Sequence, residues 1–168
     1  MEMLSKNRKT IFLGQSVKFS GNAIFNTLVS VPNNKKIELP VFEDVQMGMS
    51  IGLAIDGFIP ISCYPRFDFL ILACNQMVNH LDKIQKMSHK QYCPKVIIRT
   101  SIGSKKPLDG GPQHTQNYTQ VFRKIFTEIE TIYLDDANKI YEKFKYMINP
   151  NIKKSFLVVE NGDFYNDK

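Results

Sequence analysis

Residues 36–62 read KIELPVFEDVQMGMSIGLAIDGFIPIS, and the order of signals in this stretch sets the fold class. Lys36 to Leu39 is a short strand, stopped by Pro40, whose ring removes a backbone donor. Glu43 to Asp56 follows as a helix, with Glu43 and Asp44 in the first turn where the helix dipole favours acids. Gly57 ends it, and Phe58 to Ser62 is the next strand. A strand, a crossing helix and a second strand within so few residues describe a parallel unit, because parallel strands need a crossover. Gly48, Ser50, Gly52 and Ala54 make one part of the helix small. Glycine costs helix stability, so this face is expected to pack closely against something.

The same alternation continues on both sides. Thr10 to Leu13 is a buried strand ending at Gly14, and Gly21 to Val29 has helical spacing. Asp68 to Met87 is predicted as one long helix with Asp68 as its cap. Lys95 to Arg99 (KVIIR) is a strongly apolar strand, and Ser101 to Gln116 a loop rich in Gly, Pro and Lys. Thr119 to Phe126 is a short helix, Thr131 to Leu134 a strand, Asp136 to Ile148 a helix, and Ser155 to Val159 the last strand. The reading is a single α/β domain over residues 1–168, with its core at about 10–160: three layers, α/β/α, around a mostly parallel sheet. In such sheets ligands sit beyond the C-terminal ends of the strands, which directs attention to the loops after Leu39, Ser62 and Arg99.

Composition narrows the function. The 168 residues are 43% hydrophobic, enough for a packed core and too much for a disordered chain. The longest apolar run, Phe67 to Cys74, is interrupted by Asp68 and too short to span a membrane. The N-terminus, MEMLSKNRKTIFLG, has no apolar segment followed by a cleavage site, which predicts an unprocessed cytoplasmic chain. Cys63, Cys74 and Cys93 match no zinc spacing and read as reduced thiols, so no metal site is expected. The formal charge is +6, but the lysines are scattered, with no basic helix carrying interleaved aromatics. That argues against nucleic acid and leaves a positive field suited to an anionic ligand or an acidic partner chain.

Two of the directed loops carry chemistry. Leu39-Pro40-Val41-Phe42-Glu43 runs into the glycine-containing helix, and Cys63-Tyr64-Pro65-Arg66-Phe67-Asp68-Phe69 follows the next strand. Together they place one carboxylate beside aromatic rings. A flat heterocycle with a basic ring nitrogen would suit them: rings stack on its face and the acid hydrogen-bonds its edge. A glutamate in a first turn is by itself ordinary helix electrostatics, and a run of Phe and Tyr is by itself ordinary core.

From Ile11 onward the chain resembles a known family. Phe12-Leu13-Gly14-Gln15-Ser16-Val17 with Gly21 is similar to the "LGEDV…GG" opening of the N-terminal domain of 2-oxo acid dehydrogenase beta subunits. Leu39 to Glu43 resembles "TPITE". Gly48 to Ala54, Gly57 and Pro60-Ile61 resemble "GxAxGxAxxGxRPI". Phe67-Asp68-Phe69, Ala73 and Asn75 to Asn79 resemble "DF…A.DQI.N". Met87-Ser88 resembles the "MS" that closes this helix. Pro94 with Val96 to Arg99 resembles "P.V.R", and Gly111 to Thr115 resembles "G.QHS". The likeness runs over roughly residues 10–160 and identifies the chain with the pyrimidine-binding domain of the transketolase superfamily, pyruvate dehydrogenase included.

The resemblance implies a thiamine-diphosphate enzyme acting on a 2-oxo acid or ketose and complete only with a second chain. In that family one chain holds the diphosphate through Mg²⁺ and the other holds the aminopyrimidine. Glu43 takes the place of the catalytic glutamate, which hydrogen-bonds the pyrimidine nitrogen and so lets the exocyclic nitrogen take the thiazolium C2 proton. Leu39, Tyr64, Pro65, Phe67 and Phe69 fall where the pyrimidine pocket is lined. His114 falls on a histidine facing the substrate; His80 and His89 read as surface residues. The expected partner is an alpha-type, diphosphate-binding subunit, in a heterotetramer. Three departures stand out. Gln15 replaces an acid associated with communication between sites. The family's C-terminal domain is expected to be absent. Residues 109–111, Asp-Gly-Gly, do not form the diphosphate motif. Gln15 and the absent domain also fit a non-catalytic relic kept as a binding or regulatory partner.

Overall fold

The computed structural model describes residues 1–104 and 109–166. Among these, six strands form one parallel sheet: β1 (Thr10–Gly14), β2 (Lys36–Glu38), β3 (Ile59–Tyr64), β4 (Ile97–Ile102), β5 (Glu130–Leu134) and β6 (Phe156–Asn161). Their order is β2-β1-β3-β4-β6-β5. Strand alternation sorts side chains into two cores. Tyr64, Val96, Ile98, Leu157 and Val159 point to one face, and Ile61, Cys63, Ile97, Phe156 and Val158 to the other.

On the first face lie α3 (Glu43–Ile55), α4 (Phe67–Leu70), α5 (Ile84–Met87) and α6 (Thr119–Ile125), through Met47, Ile51, Phe67, Leu70 and Phe122. On the second lie α1 (Glu2–Ser5), α2 (Ala23–Asn26) and α7 (Ile140–Met147), through Leu4, Ile24, Phe144 and Met147. The three-layer α/β/α architecture is the one the sequence implied. Leu4 is buried, so the packed region begins ahead of residue 10.

Several elements differ from expectation. The helix expected over Asp68–Met87 is broken: α4 passes into a 3-10 turn (Ile71–Ala73), a π-helical turn (Gln76–Leu81) and then α5. Asp68 does not cap it; Arg66 holds the N-cap position without a side-chain bond. The π turn closes with the Asp82 N–H donating to the Met77 carbonyl at 2.9 Å. It rephases the helix so that Asp82, fully buried, reaches the backbone N–H groups of Thr127, Glu128 and Ile129 at 2.8–3.1 Å. The helix expected over Gly21–Val29 shrinks to α2. Beyond it the Thr27 hydroxyl donates back to the Ile24 carbonyl and accepts from Arg99, and the chain turns inward to bury Leu28. The expected helix at Asp136 starts as a 3-10 turn (Ala137–Lys139) with the Asp136 carboxylate accepting from the Asn138 N–H. Among the described residues nothing packs against Gly48 or Gly52, since a Cβ added at either would meet open space. The small residues of α3 thus divide: Ser50 and Ala54 turn inward and pack as expected, while Gly48 and Gly52 face outward.

Candidate active site

The C-terminal ends of β1 and β3 are joined by one glutamine. Gln46, one turn into α3, donates from Nε2 to Ser62 Oγ and to the Cys63 carbonyl, both at 3.0 Å, and approaches the Leu13 carbonyl at 3.4 Å. Ser50, four residues on, donates to the Gln46 carbonyl and shares the Ser62 hydroxyl at 3.0 Å. A buried amide needs these partners, and they fix α3 over the strand ends. Gly14 makes room for the contact: its φ is +148°, and a Cβ there would stand 2.2 Å from the Cys63 oxygen.

Glu43 opens α3 and is 7% exposed. Its backbone carbonyl accepts from the Tyr64 hydroxyl at 3.2 Å. Its carboxylate makes no hydrogen bond or ion pair with any described residue. The residue is nearly buried, but its carboxylate oxygens are not among the sealed, unpartnered atoms of the structure, so this acceptor pair stays open to an N–H at the edge of a ligand. Leu39 lies partly buried at the entrance to the same loop, its N–H donating to the Gly14 carbonyl at 3.0 Å. Tyr64 is wholly buried, and burial pushes its phenol well above the ordinary range, so it stays protonated and holds the Glu43 backbone.

The aromatic pair divides. Phe67 has no exposed surface; its ring stacks on Phe122 at 5.3 Å and meets Tyr118 edge-on at 5.6 Å. It sits in the core and backs the site instead of lining it, which departs from the role expected of it. Two positions along the turn of α4, Phe69 is partly buried and meets the His114 ring edge-on at 5.5 Å. Pro65 and Phe69 share the wall of one cavity. His114 is set by the loop around it: its N–H donates to the Gly111 carbonyl, Nδ1 lies 3.1 Å from the Gly110 oxygen, and its own carbonyl accepts from Arg66. Gln116 ties that loop to α4 through Asp68 at 3.1 Å. The structure thus brings Tyr64 to Glu43 and Phe69 to His114, with Pro65 beside Phe69 in one cavity, at the C-terminal edge of the sheet. His80 and His89 are exposed. Cys63 is buried, and burial pushes its thiol up to about 11.

Sequence reasoning missed Gln46 and Arg66. Gln46 had a signal: a polar residue on the inner face of α3, beside Met47 and Ser50. Arg66 stood inside the aromatic run. Its Nη1 donates to the Gly103 and His114 carbonyls at 2.9 and 2.7 Å. Among the described residues no cluster of His, Cys, Asp and Glu could hold a metal ion, and no helix is long and apolar enough to cross a membrane.

No family model matches the chain. It is 28% identical over 127 residues to the pyruvate dehydrogenase E1 component subunit beta of Cyanidium caldarium, covering 74% of this chain and 38% of that protein. It is 32% identical over 89 residues to the chloroplastic pyruvate dehydrogenase E1 component subunit beta-3 of Arabidopsis thaliana, covering 53% of this chain and 21% of that one. It is 28% identical over 124 residues to the mitochondrial 2-oxoisovalerate dehydrogenase subunit beta of Dictyostelium discoideum, covering 71% and 32%. The chain therefore spans well under half the length of these relatives. Among solved structures it superposes on a split gene transketolase, described as an inactive beta4 tetramer. The TM-score is 0.70 over 95% of this chain and 47% of that one, and at 17% identity the likeness is one of fold. The chain accordingly shares its α/β fold with the split transketolase and is similar in sequence to the beta subunits of 2-oxo acid dehydrogenases.

Proposed function

We propose that this chain is the pyrimidine-binding part of a thiamine-diphosphate-dependent enzyme that cleaves or transfers a carbon–carbon bond of a 2-oxo acid or ketose. The observation that carries the reading is Glu43: a nearly buried residue at the strand ends whose carboxylate has no partner among the described residues, at the start of a helix whose outer side is bare. Thiamine diphosphate supplies a carbon nucleophile and an electron sink when bound. Glu43 accepts a hydrogen bond from the pyrimidine edge and holds that proton; Tyr64 and Gln46 keep its backbone and helix in place. Leu39, Pro65 and Phe69 form apolar walls that exclude water from the ring. His114, steadied by Gly110 and Gly111, faces the substrate side.

A second chain of the alpha type, holding Mg²⁺ and the diphosphate, completes the site. Val45, Met49, Gly48 and Gly52 on the outer side of α3, with Phe42 ahead of it, form the surface it covers. All are apolar, and the gaps at the two glycines admit a closely approaching helix. The test is reconstitution: isolate the chain with its co-purifying partner, add thiamine diphosphate and Mg²⁺, and assay 2-oxo acids and ketose donors. Glu43→Gln is expected to lower turnover by roughly a hundredfold or more, the usual weight of a positioned acid–base group. Undiminished turnover in that variant overturns the assignment.

A further inference from the structure

Beside Phe69, at the ends of β1, β3, β4 and β6, lies a cavity of about 210 Å³ whose walls include Gln15, Ser16, Asn22, Arg66 and Ser104. None of its described lining residues is acidic. Arg66 is the one formal charge among them, and it is partly buried. Its Nη1 is fixed by the Gly103 and His114 carbonyls, both neutral acceptors. No described carboxylate pairs with it, and its Nε and Nη2 make no hydrogen bond to the described protein. Glu38, the acid nearest the Ser16 loop, has both oxygens engaged by the backbone N–H groups of Ser16 and Lys18. Asp163 stands beyond Gly103 and is itself engaged. The Gln15 side chain makes no hydrogen bond among the described residues. A guanidinium held rigid, half out of water, with donors still free and amide and hydroxyl groups around it, matches an anion with two or three oxygens.

We propose that Arg66 binds the anionic end of the substrate: the carboxylate of a 2-oxo acid or the phosphate ester of a sugar. Phe69 and His114 lie next to it, so the anion is anchored beside the reacting carbonyl, and a neutral carbonyl compound is discriminated against. This rests on the functional reading above and names the substrate's charge within it. Gln15 is the control element. A carboxylate in its place would compensate Arg66 and repel the anion.

The test uses the isolated chain, without cofactor or partner. Pyruvate and inorganic phosphate are titrated separately at constant ionic strength in chloride, following the backbone amide signals of Gly103 and Ser104 by NMR. Saturable shifts are expected with at least one anion. Saturation by pyruvate alone assigns a carboxylate, and saturation by phosphate alone assigns a phosphate ester. Affinity is expected to fall by roughly tenfold or more in Gln15→Glu, which keeps the side-chain shape, and in Arg66→Gln, with Arg66→Lys between. Melting curves check folding, and if Arg66→Gln is unfolded, Gln15→Glu decides. Shifts no larger than those from added chloride, or equal affinity in wild type and Gln15→Glu, overturn the proposal. Because no cofactor is present, that failure would leave the role of Glu43 standing.

Discussion

Gly14 and Asp82 show how much of the structure hangs on single atoms. At Gly14 the chain adopts a φ of +148°, and a methyl group there would stand 2.2 Å from the Cys63 oxygen and 3.1 Å from the Gln46 amide. Gly14→Ala must push apart β1, β3 and the amide that joins them. The expected loss is about 2–4 kcal/mol by urea unfolding; unaltered stability would mean the contact yields freely. Asp82 works by charge. Burial disfavours its anion, but the Lys83 ammonium, the Glu128 and Ile129 amides and the Thr127 hydroxyl outweigh this and hold its pKa at about 2, against 3.8 ordinarily. A depressed acid stabilises the fold above its unfolded pKa, and this contribution disappears as pH falls through the folded value. Asp82→Asn is expected to lose about 2 kcal/mol near neutral pH. The gap from wild type should narrow as pH falls from about 4 toward 2. A gap constant over that range would rule out charge as the cause.

Among the elements, α3 is the one with two separate duties. Its inner side holds Gln46, Met47, Ser50 and Ile51 against the sheet; its outer side leaves Val45 and Met49 exposed and both glycines open. Gly48→Ala and Gly52→Ala fill empty space at helical positions and are each expected to stabilise the isolated chain by about 0.5–1 kcal/mol. Gly52→Trp should leave the chain folded yet prevent assembly with the partner subunit, read by co-elution; assembly unaffected by the indole would place the partner elsewhere. The span of α3 and the six strands were legible because their apolar periods and first-turn acids are local. The break in the helix after Phe67 was not, because Asp82 finds its partners some 45 residues away, at Thr127. The fates of Phe67 and Phe69 were hidden for a related reason. Two residues apart on a helical turn they point about 200° apart, so which ring enters the core depends on where α4 begins. It begins at Phe67, after Arg66, and not with Asp68 as a cap.

Across the whole molecule, distant parts of the chain meet at one buried ion pair. Arg99, on the central strand β4, has 1% of its side chain exposed and donates to both oxygens of Glu160 on β6, at 2.6 and 2.8 Å. Its third nitrogen donates to Thr27 beyond α2, and its guanidinium lies 6.0 Å from the Phe144 ring of α7. Tyr165, in the closing 3-10 turn, donates to Glu160 at 2.6 Å. Burial works against the arginine's charge, but Glu160 more than offsets it and holds the Arg99 pKa above the ordinary value, so the guanidinium stays charged inside the protein. Burying two charges recovers little net energy, whereas removing one leaves the other stranded. Glu160→Leu is therefore expected to cost about 3–5 kcal/mol, as Arg99 loses its counter-ion inside the protein. The double variant Arg99→Met/Glu160→Leu should recover most of that loss, because neither charge then needs compensation. Urea unfolding of the wild type, both single variants and the double variant measures the coupling directly. Additive losses would mean that the two side chains act separately and that β4, β6, α2 and α7 are held together by apolar packing alone.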